Sequence, residues 1–191
     1  MKLTSHAARR GIAAAAIASA AILLPAVAFA SSSGGSAAGA AMPIHRCFDS
    51  ELTVWLGSPG DAAAGSAYYD LELSNTSRST CTLFGFPGVS ANNGGGQLGS
   101  AAGRDHSRPA QRVVLRPGAT SHVILQVVDV GNYPVTVCRP VRAQNLRVYP
   151  PGAFASIEMP FQGAFGACSR KGPVYLQVTP VMADTGIPGH S

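Results

Sequence analysis

Apolar residues recur at every second position in five short stretches, a pattern that leaves room for little except β-structure. Leu52, Val54 and Leu56 alternate with Glu51, Thr53 and Trp55. Tyr69, Leu71 and Leu73 alternate with Asp70, Glu72 and Ser74. The pattern returns at Val123, Leu125 and Val127, at Leu146 and Val148, and at Val174, Leu176 and Val178. Period two over four to eight residues marks a strand with one buried face. Thr82 to Phe86 and Arg112 to Leu115 are weaker strand candidates, and no stretch after residue 31 keeps helical spacing. The chain carries 22 Gly and 14 Pro, and they cluster between the runs, at Asn92-Asn93-Gly94-Gly95, Arg116-Pro117-Gly118 and Pro150-Pro151-Gly152. Frequent turns between short strands predict an all-β fold, an immunoglobulin-like antiparallel β-sandwich of about seven to eight strands.

The first thirty residues read differently. Lys2, Arg9 and Arg10 precede an uncharged stretch from Gly11 to Ala30 that ends in Ala28-Phe29-Ala30 and is followed by Ser31-Ser32-Ser33. A basic start, an apolar middle and small residues at alternate positions before a cut describe a cleavable export signal. The predicted cut uses Ala28 and Ala30 and leaves Ser31 first; Ala26-Val27-Ala28 is a second possible cut. The apolar stretch is also long enough for a membrane anchor. Arg9-Arg10 leaves general and twin-arginine export both open. The expected layout is a signal over 1–30, a Ser/Gly/Ala linker over 31–46, one sandwich domain over 47–182 and a loose tail over 183–191. No second long apolar run follows, so no transmembrane segment is expected once the signal is gone.

Removing that signal changes the charge. The whole chain has 14 Lys and Arg against 9 Asp and Glu, a net +5. The signal holds three of the basic residues and no acid, which leaves the mature part at +2. So small an excess gives no reason to expect nucleic acid as a partner.

All four cysteines, Cys47, Cys81, Cys138 and Cys168, lie in the mature part. An even number in an exported chain predicts two disulfides, with three pairings possible. If the strand at 51–56 pairs antiparallel with that at 67–75, Cys47 and Cys81 fall at the same end. Cys138 and Cys168 flank an irregular, Gly- and Pro-rich region at 150–172 that a bridge would close. The strand pattern therefore favours 47 with 81 and 138 with 168. A zinc site is disfavoured, since there is no C-x-x-C and no His at ligand spacing from a Cys.

Two phrases are distinctive. One is Tyr69-Asp70-Leu71-Glu72-Leu73-Ser74-Asn75-Thr76, followed by Cys81-Thr82-Leu83-Phe84-Gly85-Phe86-Pro87-Gly88-Val89-Ser90. The other combines Leu115-Arg116-Pro117-Gly118-Ala119 with Cys138-Arg139-Pro140. Together they resemble the domain of unknown function 4232, a family of actinobacterial secreted and envelope proteins, over about residues 47 to 180. Twelve Arg to two Lys, with abundant Ala and Gly, fits a GC-rich actinobacterial genome. The resemblance implies an extracytoplasmic β-sandwich and no particular activity. Some relatives carry a lipid-anchor Cys after the signal, and this chain has none there.

Catalytic patterns are missing from the sequence. There is no G-x-S-x-G elbow and no Gly-Lys-Ser/Thr after the Gly-rich stretch 94–103. Away from the signal and tail the histidines are His45, His106 and His122. His106 follows Asp105 in a Gly-rich loop and reads as solvated. No Cys has a His close downstream, which excludes a blue-copper arrangement. Asp70 and Glu72 share a strand face, as a solubilising pair or, less commonly, as glycosidase carboxylates. Arg104, Arg108, Arg112 and Arg116 stand four apart, but Pro109 and Pro117 prevent a helix from aligning them. Phe84 and Phe86 read as core packing under a bend. Asn75-Thr76-Ser77 matches a glycan acceptor but reads as a strand-ending turn. No catalytic, metal or cofactor residue is assigned and no cofactor is expected. The function expected is a non-enzymatic binding or structural module at the cell envelope or outside it, with an unknown ligand. The alternatives are a small-molecule carrier with an apolar cleft and, behind it, an unrecognised hydrolase.

Overall fold

A computed structural model describes residues 44–63 and 65–183, all within the compact unit Ala41–Ser191. The export segment with Ala28, Ala30 and Ser31 lies outside the described residues, as does the tail beyond Ala183. The described residues are mostly β-strand. They form β1 (His45–Arg46), β2 (Leu52–Ala63), β3 (Ser66–Asn75), β4 (Cys81–Phe84), β5 (Gly88–Asn92) and β6 (Gln97–Leu98). Then follow β7 (Gly103–Arg104), β8 (Arg112–Leu115), β9 (Thr120–Val128), β10 (Pro140–Tyr149), β11 (Ile157–Cys168) and β12 (Leu176–Val178). A single helical turn, α1 (Val135–Cys138), and two 3-10 turns at Asp49–Glu51 and Val130–Asn132 complete the described elements.

Three sheets result, in the orders β1-β4-β8, β11-β10-β5-β6 and β2-β3-β9-β12-β7. All neighbours are antiparallel except β1 with β4 and β12 with β7. In the largest sheet β3 is central to two ladders. Leu71 stands opposite Leu56 on β2 and Val123 on β9, and Leu73 opposite Val54 and Ser121. The alternation then points Leu71, Leu73, Val123 and Leu125 inward together, and all four are fully buried. Leu83 and Leu115 from the three-stranded sheet and Leu146 and Val148 from the four-stranded one join them in one core. Tyr175 is also fully buried, and its hydroxyl donates to the Leu98 carbonyl at 2.9 Å. Burial pushes that phenol far above its ordinary pKa.

Four of the five alternating runs and the candidate at Arg112 to Leu115 form strands; the run at Val174 to Val178 does so only over Leu176–Val178, with Val174 exposed and Tyr175 buried, and the candidate at Thr82 to Phe86 ends at Phe84. The expectation of seven to eight strands falls short of the twelve among the described residues. β1, β6 and β7 are two-residue pairings, too short for any period to register. In β5 Ser90 and Asn92 are buried along with Val89 and Ala91, so the strand has no polar, exposed face to mark the alternation. β11 occupies most of the region read as irregular. It carries Pro160 and Gly163, and a register shift opposite Ala143 and Asn145 breaks its alternation. β1 lies at the end of the stretch read as linker, where His45 and Arg46 pair with Cys81 and Thr82.

The turn at 116–118 forms as its residues require. Ala119 N–H donates to the Arg116 carbonyl at 2.9 Å, and Gly118 takes φ 78°, a left-handed value that glycine adopts without strain. Asn75 is fully buried. Its amide donates to the Ser79 and Leu115 carbonyls at 2.8 and 3.0 Å, and its oxygen accepts from Ser77 N at 3.0 Å. It is therefore the pin of a strand-ending turn rather than a glycan acceptor.

Both disulfides form as the strand pattern favours, Cys47–Cys81 and Cys138–Cys168. The reason holds for the first: Leu52 lies opposite Asn75, so the residues just outside both strands meet. The second bridge does not staple an irregular region. Cys168 ends β11 opposite Pro140 at the start of β10, and Cys138 ends α1, so the bridge ties a helical turn to the β10–β11 ladder.

The bridges close separations of 34 and 30 residues. Replacing Cys138 and Cys168 together by Ala should lower unfolding free energy by about 2–5 kcal/mol in urea titrations. Tyr175→Phe strands the Leu98 carbonyl and should cost about 1–3 kcal/mol by the same measurement.

Candidate functional site

The outward face of the three-stranded sheet gathers exposed apolar groups and guanidinium groups. In β4, Cys81 and Leu83 point into the core, so Thr82 and Phe84 point away from it. Register places Val114 beside Thr82 and Arg112 beside Phe84 on β8, and Arg46 beside Thr82 on β1. Phe84 is 61% exposed, Val114 and Ile44 each 49%. Ile44, Arg46, Phe84 and Arg112 line a cleft of about 400 Å³ closed on one side by Pro151 and Gly152. Arg46 Nη1 donates to the Gly152 carbonyl at 2.9 Å, which holds this guanidinium at the cleft wall. A second cleft of about 390 Å³ lies across β8 and is lined by Arg108, Arg112, Val181 and Met182 among others. Among the described residues no acidic one lines either cleft.

Two readings of the sequence are revised here. Phe84 and Phe86 do not pack in the core together. Gly85 takes φ 95° directly after β4, so the strand turns and the alternation does not carry through. Phe84 is left in solvent, while Phe86 packs against the His106 ring at 4.7 Å and under the Arg104 guanidinium at 5.7 Å. The four arginines spaced by four residues do not share one face, as the prolines imply, but Arg108 and Arg112 do meet in one cleft. Arg108 also donates to the Met182 sulfur at 3.5 Å.

The carboxylates Asp70 and Glu72 share the outward face of the five-stranded sheet. They are not simply solubilising, since Asp70 is only 6% exposed. Glu72 stands opposite His122 on β9 and Trp55 on β2. Burial raises the Glu72 carboxyl above its ordinary pKa; the Asp70 charge adds to this and His122 works against it. Gly57 makes this possible, because a Cβ there would lie 2.7 Å from Glu72 Oε1. His122 Nδ1 is buried and has no hydrogen-bond partner among the described residues.

The other histidines sit elsewhere. His106 is exposed on Phe86, as a loop His was expected to be. His45 Nε2 lies 3.0 Å from Glu51 Oε1, and Phe48 N donates to Glu51 Oε2 at 2.9 Å. Burial pushes the Glu51 carboxyl up, but these two bonds, the His45 charge and a bond from Ser77 together outweigh it and hold the group below its ordinary value. Cys47, Cys81, Cys138 and Cys168 are all consumed in bridges. Among the described residues no three His, Cys, Asp or Glu side chains are placed to hold a metal ion. No helix among them is long and apolar enough to cross a membrane.

The fold and bridges define a disulfide-stapled, all-β protein. The model of the family described as Domain of unknown function (DUF4232) matches residues 47–182, more than half the chain, and the chain belongs to that family. No curated protein and no solved structure matches it.

The raised Glu72 carboxyl has a consequence for stability. Below the ordinary value of 4.5 both folded and unfolded forms are protonated and the site contributes nothing. As pH rises past it, the unfolded chain ionises first, so folding loses stability until the folded group also ionises. Glu72→Gln should therefore melt above the natural protein at pH 7, with the gap closing toward pH 4 in calorimetric melts.

Proposed function

We propose that this protein is exported and works outside the cytoplasm, at the envelope of an actinobacterium or beyond it, as a non-enzymatic binding module. The immunoglobulin-like sandwich expected from the sequence belongs to this reading. Three antiparallel-dominated sheets around one core support it, and the two disulfides are compatible with an oxidising compartment.

The observation that carries the reading is the outward face of the β1-β4-β8 sheet. Exposed Phe84, Val114 and Ile44 share this face with Arg46 and Arg112. Aromatic and arginine side chains are what protein interfaces concentrate, and contiguous exposed apolar surface marks interaction sites. Both clefts are lined by arginines and, among the described residues, by no acidic one, which gives the partner's character: acidic groups set around an apolar patch. The dispersal of His45, His106 and His122 over separate surroundings supports a non-enzymatic role.

The alternative of a small-molecule carrier has a separate observation in its favour. An apolar cleft of about 390 Å³ opens beside Tyr69 and Phe165, within the size range of ligand pockets.

Two measurements test the main reading. The N-terminus of exported material should begin at Ser31, and material beginning at Met1 would overturn the cleavage. Purified protein should capture a partner from envelope or culture fractions. Phe84→Ser with Arg112→Ala should cut that capture at least tenfold with the thermal midpoint unchanged, because both side chains are exposed. Equal capture by the variant would exclude this face.

A further inference from the structure

The register shift in β11 has a chemical result. Between the pairs Asn145↔Pro160 and Ala143↔Phe165, β10 supplies Gln144 alone while β11 supplies four residues. The extra chain folds back through Gly163 at φ 86° and Ala164 at φ 53°, a backbone region costly for alanine. Arg142 Nη2 donates to both carbonyls, at 3.2 and 3.1 Å, and clamps the bulge. In a regular strand residues 161 and 165 would stand about 13 Å apart. Here the rings of Phe161 and Phe165 lie 4.4 Å apart, and Tyr69 from β3 meets Phe161 edge-on at 4.9 Å.

The resulting aromatic wall borders the cleft of about 390 Å³, where Tyr69 and Phe165 face Val127 and Val130. Among the described residues lining it, Asp129 is the one that carries charge. One of its oxygens, Oδ1, accepts from Gly131 N at 2.9 Å, and that bond does not use the other. Aromatic faces and a carboxylate both attract positive charge, and the aliphatic lining accepts an apolar body. We propose that this cleft binds a small organic cation with an apolar or aromatic body, such as a substituted ammonium compound. Phe165 and Tyr69 hold the body and Asp129 selects the charge. The site rests on the carrier alternative and is separate from the arginine face.

The test is isothermal titration of the full, oxidised chain with phenyltrimethylammonium, benzyl alcohol and benzoate. The cation should bind at one saturable site, the alcohol more weakly and benzoate not at all. Asp129→Asn keeps the carbonyl that accepts from Gly131 N and removes the charge. It should weaken the cation about fivefold and leave the alcohol unchanged. Ala67→Phe fills the cleft and should abolish binding of both. Absence of saturable cation binding to the natural chain, or benzoate binding as well as the cation, would overturn the proposal. So would undiminished cation binding in either variant. Should Asp129→Asn fail to fold, Ala67→Phe decides alone. These outcomes are independent of the capture by the Phe84 and Arg112 face, so loss of one reading leaves the other standing.

Discussion

The pairing of β3 with β9 sets the rest of the structure. Nine consecutive partners, from Ser66↔Val128 to Ser74↔Thr120, lock two alternating strands in one register. A slip of one residue would turn Leu71, Leu73, Val123 and Leu125 out to solvent and bring Asp70, Glu72 and His122 into the core. The cost of burying those charged groups makes the register close to unique. β2 then pairs on the free edge of β3, which brings Cys47 and Cys81 together, and β12 pairs on β9. The disulfides join what the ladders have already placed.

That register also sorts the surface chemistry. The outward positions of β3 and β9 hold a buried Asp70 and half-buried Glu72 and His122, beside Gly57 and Trp55. The outward positions of β1, β4 and β8 hold Arg46, Phe84, Arg112 and Val114. Acidic groups on one sheet are partly desolvated and paired across strands, so they are poorly available to a partner. The arginines on the other share a face with an exposed ring, where a guanidinium can stack and donate at once. The binding reading is drawn from this contrast, and the cation cleft uses a third region around Tyr69 and Phe165.

Where the sequence could be read, it was because side chains kept strict period two. β3 and β9 are legible from their leucines and valines alone. β11 is not, although Ile157, Met159 and Phe161 do alternate, because the four-residue bulge resets the phase before Phe165. Phe84 misleads for a related reason. Its spacing from Phe86 looks like one face of one strand, but the positive φ at Gly85 ends the strand between them. Local spacing cannot reveal a bend that is chosen by how the next segment packs. The Arg112 site is similarly hidden: β1 and β8 come to opposite sides of β4 only through long-range pairing.

The sequence by itself determined the strand-dominated fold, the burial of the alternating apolar face and the pairing of Cys47 with Cys81. Those follow from side-chain alternation and from chain order, which are local properties. Only the tertiary structure decided that Phe84 is exposed on one face with two arginines, that Asp70 is buried, and that Phe161, Phe165 and Tyr69 form one wall. Each of these depends on which strand becomes a neighbour and where a bulge or turn breaks the phase. Neighbours are selected by the shared core, and no short window of residues encodes them.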